Sequence, residues 1–211
     1  HFMSPFFPKG SYLAIVGDIT LDEAKLMLDK HLSSWEVKSY ENTIYEMLSA
    51  PLKNEVSLVN KAGAVQSVIN ITYPVELHPA SDDALKVKVL NNILGGGSSA
   101  RLFRNLREDK AYTYGAYSSL SADELGAEFV ASAKVRNEVT DSAIVEFLKE
   151  INDLRTSKVS EEELKGVVNN MSGKFAISLE SPSTIAAFAA SIDYLGLDDD
   201  YYATYLKRLS E

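Results

Sequence analysis

Residues 127–136 place Ala127, Phe129, Ala131, Ala133 and Val135 at every second position. That period predicts a strand with one apolar face, and such a face needs a covering layer. The rest of the chain supplies more strands and the helices to cover them. Residues 55–60 and 65–73 read as strands joined by a hairpin turn at residues 61–64, with Val65, Ser67, Ile69, Ile71 and Tyr73 sharing one face. Residues 112–120 read as a further strand. Leu85, Val89 and Ile93, with Leu90 and Leu94, predict a helix over 81–94 stopped by Gly95-Gly96-Gly97, and Leu102, Phe103 and Leu106 predict another over 99–107. Helices are also predicted over 141–155, from a capping box at Ser160 and Glu163, from Ser181-Pro182 to about residue 195, and after Asp198, Asp199 and Asp200. The order beyond residue 53 is ββααββαααα. It predicts an α+β fold, with helices segregated on one face of a mostly antiparallel sheet.

Upstream, residues 12–17 form an apolar run ending in Gly-Asp, which suits a buried strand. Thr20 with Glu23 makes a capping-box pattern before Leu21, Ala24, Leu28 and Leu32, so a helix follows. Periodicity then fades from about residue 33 to residue 53, where an extended linker is expected.

Composition narrows the chemistry. The 211 residues contain no Cys, which excludes thiol catalysis, disulfides and Cys-based zinc sites. Of the three histidines, His1, His31 and His78, no two have the short spacing that puts two imidazoles on one helical face. A net charge of −9 disfavours a general electrostatic grip on nucleic acid or anionic lipid. No apolar stretch approaches the ~20 residues a membrane span needs. The first residues lack the basic start and long apolar run of a secretion signal, and the chain reads as a fragment of something longer.

Gly95-Gly96-Gly97-Ser98-Ser99-Ala100 fits a loose dinucleotide-binding pattern, but the preceding segment is helical and no Lys is present to make a phosphate loop, so a helix-to-helix joint is expected. Arg101, Arg104 and Arg107 recur every three residues; as a solvated face, Arg104 would pair with Glu108. Strand alternation would set Tyr112 and Tyr114 on one face and Tyr117 on the other, and on pattern alone these tyrosines read as aromatic packing. The acid runs at Glu161, Glu162 and Glu163 and at Asp198, Asp199 and Asp200 precede helices, where carboxylates suit the N-terminal dipole better than a metal. No G-x-S-x-G motif or Ser/His/Asp grouping is visible.

Residues 94–108, Leu-Gly-Gly-Gly-Ser-Ser-Ala-Arg-Leu-Phe-Arg-Asn-Leu-Arg-Glu, followed by residues 112–118, resemble the C-terminal half of the pitrilysin-like zinc metallopeptidases, family M16. Residues 14–18, Ala-Ile-Val-Gly-Asp, resemble the closing strand of the preceding homologous unit in that family. The resemblance implies that residues 1–36 are the closing strand and helix of one unit, 37–53 a linker, and 54–211 a second α+β unit lacking its last strand. It also implies a clam-shaped peptidase in which one half carries an H-x-x-E-H zinc motif and the other an Arg and a Tyr seven positions apart. Arg107 and Tyr114 have that spacing, Ala111 stands where the family often has Gly, and the zinc motif is absent. This chain thus resembles the non-zinc half, with no catalytic residue or metal ligand of its own. In that setting Arg107 and Tyr114 would bind substrate and stabilise the transition state. A phenol O–H and a guanidinium fork are suitable donors to the carbonyl oxygen on which negative charge grows when water attacks a peptide.

The function the resemblance implies is therefore the substrate-binding half of a zinc endopeptidase that encloses peptides, inactive in isolation, with zinc and hydrolysis supplied by another half or subunit. A non-catalytic structural or assembly subunit, as in respiratory complexes of similar fold, and a free-standing peptide-binding module are the alternatives. Expected partners are a peptide or unfolded polypeptide, the zinc-bearing half, and a second copy by strand exchange, in which residues 12–17 fill the sheet edge left by the missing strand within one chain or between two. A bacterial periplasmic or cytoplasmic setting is the working expectation.

Overall fold

In a computed structural model describing residues 10–35 and 49–211, the elements run α1 (Leu21–Leu32), β1 (Gln66–Val75), α2 (Asp83–Leu94), α3 (Arg101–Phe103), β2 (Thr113–Ser121), β3 (Ala127–Arg136), α4 (Thr140–Thr156), α5 (Glu161–Ser178), α6 (Pro182–Leu195) and α7 (Tyr205–Ser210). α3 passes without a break into a π-helical turn, Arg104–Asp109. The chain divides into two units, residues 46–171 and residues 1–45 with 172–211. Residues 37–48 of the expected linker lie outside the described residues.

In the first unit β3 is the central strand of a three-stranded antiparallel sheet of order β1-β3-β2. Its alternation works as the sequence requires: Ala127, Phe129, Ala131, Ala133 and Val135 are all buried. They pack with Ile69 and Ala116 of the flanking strands against Leu94 of α2, Leu102 of α3, Leu106 of the π-turn, and Ala143 and Phe147 of α4. The helices thus cover one face of the sheet and the fold is α+β. The other face is open. Pro74, which lacks an N–H to donate, is tolerated because β1 is an edge strand.

The opposite edge, β2, is covered by α2. The Ser118 N–H donates to the Gly95 carbonyl (3.0 Å), and Asn91 Nδ2 donates to the Ser118 carbonyl (3.2 Å) while its Oδ1 accepts from Ser118 Oγ (2.7 Å). Gly95 is required by this approach, since a Cβ there would stand 2.2 Å from Ser118 N. The glycine run is therefore a joint between helices, and its first residue also clamps a strand edge.

Two expected strands do not form. Residues 12–17 adopt no regular structure, with Leu13, Ile15 and Val16 exposed (63%, 46% and 43%) and no strand among the described residues paired to them, so they do not fill the edge of the described sheet within this chain. At residues 61–64 the turn is made, with Ala64 N–H donating to the Lys61 carbonyl (3.2 Å) and Gly63 at φ +77°, but residues 55–60 are not a strand, and Val56, Leu58 and Val59 are more than 90% exposed. Strand propensity describes a fit to a pleated, half-buried surface, and neither segment meets one here.

The second unit contains α1, the C-terminal part of α5, α6 and α7. The Thr20–Glu23 capping box closes at both ends, with Glu23 N–H donating to Thr20 Oγ1 (3.3 Å) and Thr20 N–H to the Glu23 carboxylate (2.9 Å). Phe175 stacks on Tyr205 (4.4 Å between centroids) and Phe188 on Tyr202 (3.8 Å). No single helix among the described residues is long and apolar enough to cross a membrane.

Candidate functional site

The stretch from α3 through the start of β2 holds both candidate residues, and its geometry begins with the π-turn. Arg104 makes no ion pair with Glu108 and instead reaches Glu163 at the start of α5 (3.5 Å). Arg101 makes the stronger contact to the same carboxylate, its Nε and Nη2 donating at 2.8 and 2.6 Å in a bidentate pair. Ser160 Oγ accepts from Glu163 N–H (3.2 Å), so the backbone half of the expected capping box is present while the Glu163 side chain turns to Arg101. These donors hold the Glu163 carboxyl below the usual carboxylate range, the Arg101 hydrogen bonds being the largest cause.

On the same turn Asn105 is buried, and its Nδ2 donates to Glu146 (2.9 Å) and Glu150 (2.6 Å) of α4; Lys110 also pairs with Glu146 (3.4 Å). The π-turn is thereby fastened to α4 by hydrogen bonds to carboxylates as well as by the buried Leu106. It ends at Ala111, whose φ of +52° is left-handed, and Tyr112 N–H then donates back to the Leu106 carbonyl (2.9 Å). A left-handed residue here accounts for the position being one that suits Gly.

β2 starts with an irregularity that alters the expected faces. Thr113 pairs with Val135 but Ala116 with Ala133, so one extra residue is inserted and Tyr114 and Gly115 together stand opposite Lys134. Thr113 secures this bulge with its hydroxyl, which donates to the Lys134 carbonyl (2.7 Å) and accepts from Gly115 N–H (3.2 Å). The bulge reverses the alternation. Tyr114 and Tyr117 line the same shallow trough of about 290 Å³ on the open face, together with Gln66, Thr113, Gly115 and Lys134. The expectation that Tyr117 would lie on the face opposite Tyr114 is thus overturned. Its ring lies back over Gly115, where an added Cβ would come within 2.7 Å of Cε2.

Arg107 is exposed and is not among the residues lining the trough; its guanidinium sits 4.7 Å over the Phe103 ring. That same ring is tilted against Tyr117 at 5.8 Å. Tyr117 therefore contacts both the ring that carries Arg107 and the trough that contains Tyr114, a link that alternation could not reveal because nothing in a period-two pattern marks an inserted residue. Tyr114 itself is 88% exposed, an unusual state for a large aromatic on a strand. Tyr112 is half-buried against the core, as aromatic packing predicts.

No three of the described His, Asp and Glu residues come together as a metal-ligand set. His31 is exposed at the end of α1, and His78 Nδ1 accepts from Ala80 N–H (3.2 Å) in a turn; His1 lies outside the described residues. The described residues do not assemble a zinc site.

The first unit thus joins a helix-covered sheet, a trough on its open face and a π-turn that presents Arg107. The sequence profile described as the peptidase M16 inactive domain matches residues 3–171, and the chain belongs to that family. It is 33% identical to the Bacillus subtilis protein named uncharacterized zinc protease YmxG over 98 residues, 46% of this chain and 24% of that protein. Its fold matches the crystal structure of a peptidase M16 inactive domain from Pseudomonas fluorescens (TM-score 0.78, 19% identity, 92% of this chain and 46% of that one). It equally matches a protease from Helicobacter pylori (TM-score 0.78, 20% identity, 93% of this chain and 47% of that one). The chain spans about half the length of these two structures.

Proposed function

We propose that this chain is the substrate-binding half of an M16-type zinc endopeptidase, holding an extended peptide against the open face of its sheet while a second half carries the zinc. The observation that carries the reading is Tyr114, set on a bulge so that its phenol stands almost fully exposed in a trough beside the Phe103–Tyr117 pair on which Arg107 rests. Membership of a family described as an inactive peptidase domain, and likeness to a protein named as a zinc protease, support it. The chemistry of the side chains is apt. A peptide offers carbonyl acceptors along its length; a phenol donates one hydrogen bond and a guanidinium up to five in a fixed plane. Such donors act by positioning the peptide and by strengthening as charge develops on a carbonyl oxygen, where each is worth about 10²-fold in rate.

The test is reconstitution. The purified chain, dialysed and assayed on fluorogenic peptides, should retain no stoichiometric zinc and cleave nothing; mixing it with the H-x-x-E-H half encoded in the same or a neighbouring reading frame should produce cleavage that a chelator abolishes. One zinc per isolated chain with chelator-sensitive cleavage, or a mixed pair that stays inert, would contradict the proposal.

A further inference from the structure

The trough carries a charge that the Arg–Tyr pair does not explain. Lys134 is the one ionic side chain among its lining residues, and Arg136 follows two positions along on the same face, opposite Gln66 of β1. Neither makes an ion pair with a described carboxylate. The residues sharing this face from the neighbouring strands are uncharged: Gln66, Val68, Asn70 and Thr72 on β1, and Tyr117, Ser119 and Ser121 on β2. The acid on the same face of β3 is Glu128, six residues from Lys134 and so roughly 20 Å away at the other end of the strand. On the open face of the sheet, the end that holds Tyr114 therefore carries two cations and no acid from the strands themselves, in a chain of net charge −9. The Lys134 backbone is anchored, because its carbonyl accepts the Thr113 hydroxyl that secures the bulge.

Resting on the peptide-binding reading above, we infer that Lys134, supported by Arg136, selects peptides bearing an acidic side chain, which it meets while flanking residues lie along Tyr114 and Tyr117. A carboxylate is the complementary group for two unpaired cations on an otherwise neutral surface. A basic side chain there would be repelled, which gives the site discrimination as well as attraction.

The experiment uses three fluorescein-labelled nine-residue peptides, identical except for a central Glu, Gln or Lys, titrated against the purified chain by fluorescence anisotropy. At about 50 mM salt the Glu peptide should bind about fivefold tighter than the Gln peptide, the scale expected of exposed charge pairs, and the Lys peptide weaker than either. Raising salt to about 300 mM should shrink the Glu-to-Gln ratio. Lys134→Met should bring the ratio close to unity and Lys134→Glu should invert it, with circular dichroism showing that both variants keep the fold. Equal binding of the Glu and Gln peptides, or a ratio that survives Lys134→Met, overturns the inference while leaving the peptide-binding reading intact. Failure of all three peptides to bind overturns both.

Discussion

Among the described residues, Ala111 is the one whose backbone is most at odds with its side chain. A left-handed φ of +52° crowds its Cβ against the following carbonyl, a strain of about 1–2 kcal/mol that Gly does not carry. Ala111→Gly trades this for the larger freedom of Gly in the unfolded chain, about 0.4–1 kcal/mol. The balance favours the variant, and urea denaturation should show it more stable by up to about 1 kcal/mol. Glu163 gives a pH-dependent counterpart. Its carboxyl titrates below the usual range chiefly because Arg101 donates to it, and that of Glu146 does so chiefly because of Asn105. A folded-state pKa lower than the unfolded one contributes stability above the unfolded value, about 4.3 for Glu, and that contribution is lost as pH falls through the folded value. Glu163→Gln should therefore cost about 2 kcal/mol at pH 7, and progressively less on the acid side of about pH 4, in denaturation curves collected from pH 7 to pH 3. A cost independent of pH would show that the Arg101 pair contributes nothing to acid sensitivity.

At the level of elements, Gly95 and Thr113 shape β2 from its two sides. A Cβ at Gly95 meets backbone of Ser118, which cannot swing away as a side-chain tip would, so Gly95→Ala must push α2 off the strand edge. A loss of about 3 kcal/mol is expected by urea denaturation, against near neutrality for Gly97→Ala, where an added Cβ meets nothing within 4 Å. Sequence period made β3 legible to the residue, along with the helices that cover it, because each apolar stripe is satisfied by a neighbour in the same unit. The π-turn and the bulge at residues 114 and 115 were not legible. Both are single-residue insertions into a regular period, and the hydrogen bonds that fix them, from Asn105 to α4 and from Thr113 across to Lys134, join residues 21 to 45 positions apart. The family resemblance singled out Arg107 and Tyr114, while strand alternation set Tyr117 on the wrong face. The strands expected at residues 12–17 and 55–60 failed for the complementary reason: their composition suits pairing, but composition does not supply a partner.

Across the molecule, the first unit combines a face that is tightly packed with one that is open, and the open one is the face proposed to hold the peptide. Helices seal Phe129, Ala131 and Val135 away, while Tyr114, Tyr117 and Lys134 line a trough on the far side of the same sheet. Substitutions in the trough should therefore separate activity from stability, which substitutions in the core cannot do. The direct test is Tyr114→Phe in the reconstituted enzyme, with kcat/KM and melting temperature measured together. The hydroxyl sits on a side chain with little surrounding protein, so its removal should leave the melting temperature unchanged while kcat/KM falls about 10²-fold. Unaltered turnover, or a loss that merely follows a lowered melting temperature, would mean that Tyr114 is a structural aromatic and that the trough is not where the peptide is held.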